Sequence, residues 1–195
     1  MIKVFFYKGL SVVSKAIKWQ TRSPVSHVAI QRGYGHETQT IEAWHKPFPR
    51  GNVHLHQGEG GEFKLHTPCT EVETYICPQL TNQQEQLMWG WLKSEVGVAY
   101  DFRMVFRFLP RWGATEGSED KWFCSELIAA AFEQAHLPLL LRTPSFEVSP
   151  GLLRRSPLLS HIRTQKQTAD GVVVDVEGVP WDNCEPQVRI KIKYL

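Results

Sequence analysis

The chain has 195 residues, 42% hydrophobic and 22% charged, and its 22 basic and 20 acidic residues leave a net charge of +2. That length suits one domain spanning residues 1–195. The charge balance excludes a strongly basic nucleic-acid binder, and the basic residues are scattered except for short groups such as Arg154–Arg155.

In chain order, residues 2–7 (IKVFFY) are β-branched and aromatic and predict a buried strand ended by Gly9. Apolar residues at 12, 13, 16, 17 and 19 predict a short amphipathic helix that stops near Thr21–Pro24. Residues 26–31 and 38–44 read as two strands joined by the glycine-rich turn RGYGHE, and residues 52–56 alternate as a third. Residues 71–76 give a further strand, closed by Pro78. Thr81 and Gln84 have the spacing of a capping box, predicting a helix through about residue 95.

Residues 100–108 suggest a helical turn stopped by Pro110, and residues 122–136 give the clearest helix of the chain. Residues 142–170 hold Pro144, Pro150 and Pro157 among many serines and read as loop with short helical pieces. Residues 172–176 and 188–194 close the chain as strands. The order predicts an α+β fold with a mainly antiparallel sheet.

The run LPLLL at 137–141 is broken by Pro138, and no segment predicts a transmembrane span. The N-terminus has no cleavage-site pattern, so the default address is the cytoplasm, although export by a route without a signal peptide would leave no trace. Cys69, Cys77, Cys124 and Cys184 form no CxxC pair, so neither a disulfide framework nor a cysteine metal site is expected.

Three residues could do chemistry. Cys124 lies in the first turn of the 122–136 helix, in phase with Leu127, Ile128, Ala131 and Ala135. A buried core thiol fits that phase, but a helix N-terminus also favours thiolate and offers the Cys124 N–H to a developing oxyanion. His27 sits in an otherwise apolar strand, where an imidazole is either a satisfied core group or a catalytic base. Glu42, on a neighbouring strand, could orient that imidazole or simply be solvated. His54 and His56 alternate on one face of a strand read as an edge, without the further ligands that zinc requires; no metal or other cofactor is expected. His66, His136 and His161 have surface-like neighbours.

Taken in order, Ser14–Ile17, Thr21–Pro24, Ser26–Ile30, Ile41–Ala43, Gly97 to Tyr100–Asp101 and Phe123–Leu127 resemble a group of permuted papain-like (YiiX/YaeF-like) cysteine hydrolases, related to NlpC-type peptidases and lecithin retinol acyltransferase. The resemblance runs from the first strand to the cysteine helix. It implies a circularly permuted papain-like fold, with an antiparallel sheet packed on the helix that carries the nucleophile. It further implies that Cys124 is nucleophile, His27 base and Glu42 the orienting residue.

Ser26, Tyr100 and Asp101 would line the cleft, with the Tyr100 hydroxyl as a second oxyanion donor; alternatively Asp101 caps the following turn and Tyr100 packs. The expected substrate is a peptide-like amide, including cell-wall peptides, with acyl lipids second. A catalytically silent binding module is the rival from another class. If the chain is a delivered toxin, an inhibitor or immunity partner is expected. Nothing beyond about residue 140 carries the resemblance, and residues 142–195 read as a lineage-specific C-terminal elaboration, either a cover or a partner-binding addition.

Overall fold

The structure is a computed structural model that describes residues 1–45, 51–58, 66, 69–104, 120–167, 173–176 and 190–191. Its centre is a mixed sheet of ten strands in the order β10-β9-β8-β5-β1-β2-β3-β4-β6-β7. These are β1 (Ile2–Lys8), β2 (His27–Arg32), β3 (Gln39–Trp44), β4 (Asn52–Gln57), β5 (Glu71–Ile76), β6 (Ala99–Tyr100), β7 (Lys121–Trp122), β8 (Ser160–Gln167), β9 (Val173–Val176) and β10 (Ile190–Lys191). All neighbours run antiparallel except β6 and β7, which are parallel. Among the described residues four α-helices accompany the sheet: α1 (Val12–Thr21), α2 (Asn82–Ser94), α3 (Cys124–Gln134) and the short α4 (Pro150–Leu153).

Side-chain alternation sorts the central strands into two faces. Val4, Phe6, Val28, Ile30, Ile41, Ala43 and Val53 join Leu127, Ile128, Ala131 and Phe132 of α3 and Met88 and Leu92 of α2 in the main core. Each large aliphatic or aromatic side chain withdrawn from water there contributes roughly 1.5–3 kcal/mol. Phe5, Tyr7, Ala29 and Val72, in the opposite phase, form a second, smaller cluster.

The helix signals act as expected at their starts. Ser11 caps α1 by accepting the Ser14 N–H at 3.1 Å, and Thr81 and Gln84 form the reciprocal capping box of α2. α3 begins at Cys124, two residues later than the pattern suggested, because Lys121 and Trp122 pair with β6. At its start the Glu126 carboxylate accepts the Phe123 N–H at 3.3 Å.

The main departure lies in the segment read as loop. Residues 142–170 do include the four-residue α4, but Ser160–Gln167 form β8, paired with β5 from Glu71↔Lys166 to Ile76↔Ser160. β9 and β10 continue the sheet outward from it. The expected strand at 188–194 is therefore described only at Ile190–Lys191. The turn expected at 100–108 is split between β6, a turn at 102–104 and residues outside the described set. β4 is not an edge strand: it pairs with β3 throughout and meets β6 at Asn52↔Ala99.

Candidate functional site

His27 is the first residue of β2, directly opposite Tyr7 of β1. β2 and β3 pair at Ile30↔Ile41, Gln31↔Thr40 and Arg32↔Gln39. Extending that register sets Glu42 level with Ala29, whose single methyl leaves the His27 ring room to reach diagonally across. His27 Nε2 lies 2.7 Å from Glu42 Oε2. Since a carboxylate only accepts, Nε2 carries the proton. Cys124 lies close enough to the same imidazole to raise the proton affinity of His27. His27 and Glu42 thus meet across two adjacent strands, and Cys124 is the first residue of α3.

The site is deeply buried. Cys124 and Glu42 have no exposed surface and His27 is 6% exposed. Burial alone would drive His27 toward its neutral form, but the charge and hydrogen bond of Cys124, joined by those of Glu42, outweigh it and raise its pKa to about 9. Burial likewise pushes the Glu42 carboxyl up, and the neighbouring imidazoles of His27, His56 and His66 reverse this, holding it well below its usual range.

Two further histidines complete the surroundings of Glu42. His66 Nε2 donates to Glu42 Oε2 at 3.3 Å, its side chain is only 3% exposed, and its ring stacks on Tyr7 at 3.8 Å with a 6° interplanar angle. This corrects the expectation of a surface position. Burial lowers the His66 pKa, aided by the charges of His27 and His56 against the pull of Glu42, so it donates as a neutral ring. His56 Nε2 lies 3.3 Å from Glu42 Oε1, close enough for an ion pair but without hydrogen-bond alignment. Trp44 walls the group edge-on, 5.0 Å from the His27 ring and 4.7 Å from that of His66.

His56 was legible in principle: alternation in β4 puts it on the same face as His54, which is level with Glu42. His66 carries no such pattern, because it belongs to no strand or helix.

The remaining candidates divide. The Ser26 hydroxyl accepts the Gly9 N–H at 3.2 Å and donates to the Tyr7 carbonyl at 3.3 Å, fastening β1 to β2, so it is committed to the scaffold. Asp101 accepts the Arg103 N–H at 2.8 Å, capping its turn. Tyr100 is buried beside Phe123, with ring centroids 5.8 Å apart. Burial, reinforced by the charges of Cys124 and Asp101, raises its phenol pKa well above the usual value, so the hydroxyl stays protonated.

As a donor set, His27, Glu42 and His66 could also hold a metal ion, since one ligand atom from each lies within 4.8 Å of the others. Imidazole and carboxylate suit zinc and similar ions, whose tetrahedral ligand atoms stand ~3.3 Å apart. The His66–Glu42 spacing already matches. The His27–Glu42 pair would have to open.

No protein-family model matches the chain, and no curated protein matches it in sequence. Among solved structures, it is similar to metalloprotein YiiX from Escherichia coli O157:H7, with a TM-score of 0.58 and 19% sequence identity, over 85% of this chain and 96% of that one. At that identity, what the two share is the fold.

Proposed function

We propose that the chain is a thiol hydrolase cleaving a peptide-like amide bond on a permuted papain-like fold. The observation that carries this reading is the 2.7 Å hydrogen bond between His27 and Glu42, with Cys124 near enough to raise the His27 pKa. The chain order, with His27 before Cys124, supports the permuted arrangement.

In this mechanism the Cys124 sulfur, paired with the His27 imidazolium, adds to the substrate carbonyl carbon. The oxyanion takes hydrogen bonds from the Cys124 N–H, which has no intrahelical partner, and from the Tyr100 hydroxyl. His27 then gives its proton to the leaving amine as the C–N bond breaks, leaving a thioester on Cys124. Water attacks that thioester, His27 takes its proton, and the acid and free thiolate are released. A hydroxyl or amine acceptor in place of water would make the same site an acyltransferase, and an ester or acyl-lipid substrate follows the same path. Because Cys124 is fully buried, the neighbouring side chains must shift to admit the carbonyl.

The test is intact-mass measurement after reaction with an activated acyl ester. The proposal expects one acyl adduct, mapped to Cys124, absent from Cys124→Ala and strongly slowed in His27→Ala. An adduct that persists in Cys124→Ala refutes the nucleophile.

A second reading is favoured by two buried atoms without aligned hydrogen bonds, Glu42 Oε1 and His56 Nε2, and by the metalloprotein description of the YiiX structure. Here His27, Glu42 and His66, with His56 beside them, would hold a transition-metal ion. Such an ion would supply Lewis acidity at that point, and Cys124 would then be a packing residue. Metal analysis of the purified protein, repeated for Glu42→Gln and for Cys124→Ala, separates the readings: stoichiometric metal that only Glu42→Gln removes favours the second.

A further inference from the structure

α1 is anchored on its inner side by Ile17, which is 3% exposed, yet its outer side carries Val12 at 83% exposure and Trp19 at 73%. Leu10, just before the helix, is 48% exposed. At about 100° per residue, Val12, Ala16 and Trp19 lie within roughly 60° of one another, and Lys15, Arg22 and Lys18 continue the arc on one flank. An apolar strip edged by cations is thus turned to solvent.

The charge along the chain is one-sided. Residues 1–36 contain six Lys and Arg and no Asp or Glu, whereas the remaining 159 residues hold 16 Lys and Arg against 20 Asp and Glu, a net of −4. The near-neutral total hides this polarity. Lys8 pairs with Glu71 and Glu73, and Arg32 with Glu85. Among the described residues, no carboxylate pairs with Lys15, Lys18 or Arg22.

We propose that the outer face of α1 docks on a bilayer surface bearing anionic lipid headgroups. Trp19, Val12 and Leu10 enter the boundary between headgroups and acyl chains, and Lys15, Lys18 and Arg22 lie among the phosphates. A ten-residue helix is about 15 Å long, half the hydrocarbon thickness, so it lies in the surface and does not cross it. No helix among the described residues is long and apolar enough to cross a membrane. The net −4 on the rest of the chain would be repelled by the same surface, which selects the α1 side as the docking side. The inference rests on α1 alone and is independent of the chemistry at Cys124.

The test is flotation of the full chain with phosphatidylcholine vesicles, with and without phosphatidylglycerol, at low and raised salt. Binding to the anionic vesicles, weakened by salt, is expected. Trp19→Gln and the double variant Lys15→Glu/Lys18→Glu should each lower partitioning by about tenfold or more. Trp19 and Lys15 are exposed and Lys18 is half-buried, and unchanged thermal melting would show that both variants fold. Three results overturn the proposal: no binding of the parent chain to anionic vesicles, equal binding of parent and variants, or self-association through α1 that Trp19→Gln abolishes while vesicles have no effect.

Discussion

His27 and Glu42 are joined by a 2.7 Å hydrogen bond across adjacent strands, in a site where Glu42 has no contact with solvent. That bond places the proton on Nε2 and so leaves Nδ1 as the nitrogen that a base would use. Removing the ring should therefore cost far more than weakening its partner. In a hydrolysis assay with an activated ester, Cys124→Ala should abolish turnover and His27→Ala should lower kcat/KM by about a thousandfold or more. Glu42→Gln, whose amide oxygen can still accept from Nε2, should lose about ten- to a hundredfold. Equal losses for Glu42→Gln and Cys124→Ala would point to Glu42 as a ligand and not as an orienting residue.

The pH profile follows from the shift on His27. A folded-state pKa of about 9, above the ordinary 6.5, means the imidazolium persists through neutral pH. Acylation of an amide, which needs that proton for the leaving group, should hold its rate through neutrality and fall as pH rises through about 9. Glu42→Gln removes one source of the upward shift, so its alkaline limb should move to lower pH. The stability linkage has the same sign: the contribution from His27 is complete below its unfolded pKa and disappears through about pH 9. Matching alkaline limbs in both proteins would show that Glu42 does not set the His27 proton affinity.

Tyr100 offers a sharper test of the oxyanion site. Its phenol stays protonated because burial and the nearby charges of Cys124 and Asp101 oppose ionisation. Tyr100→Phe preserves the ring that packs on Phe123 and deletes only the donor. It should lower kcat about ten- to a hundredfold with little change in KM, a loss confined to the transition state. If Tyr100 only packs, the variant keeps its rate.

How much of this was legible in the sequence depended on how local each signal was. The β1–α1–β2 run, the β2–β3 hairpin and the cysteine helix each announce themselves within a dozen residues, so Cys124, His27 and Glu42 could be singled out. β8 could not. Its segment, SHIRTQKQ, is largely polar, follows Pro157, and takes its strand form from pairing with β5, some ninety residues earlier in the chain. The pairing also shifts register between Thr74 and Tyr75, breaking the alternation that would betray it. His66 failed for a related reason: only its contacts with Tyr7 and Glu42 mark it. Ser26 had the right neighbourhood and the wrong task, since Gly9 and Tyr7 engage its hydroxyl.

The junction between β5 and the chain after α4 can be tested separately from the site. Glu73, 3% exposed at the centre of β5, receives both Nε and Nη2 of Arg154, the latter at 3.0 Å, with Lys8 Nζ at 3.1 Å and the Tyr75 hydroxyl at 3.3 Å. Burial pushes the Glu73 carboxyl up, but Arg154 and Lys8 outweigh it and hold its pKa below the usual 4.5. Arg154→Met leaves a buried carboxylate with one cation, so urea denaturation at neutral pH should show a loss of about 2–3 kcal/mol. Since the Glu73 pKa is depressed on folding, its contribution is present above the unfolded value and fades as pH falls through the folded one. The penalty of Arg154→Met should therefore shrink in acid. The double variant Glu73→Leu/Arg154→Met, which buries no unpaired charge, should recover much of the loss. A penalty independent of pH, or a double variant no better than the single one, would locate the effect in packing and not in the ion pair.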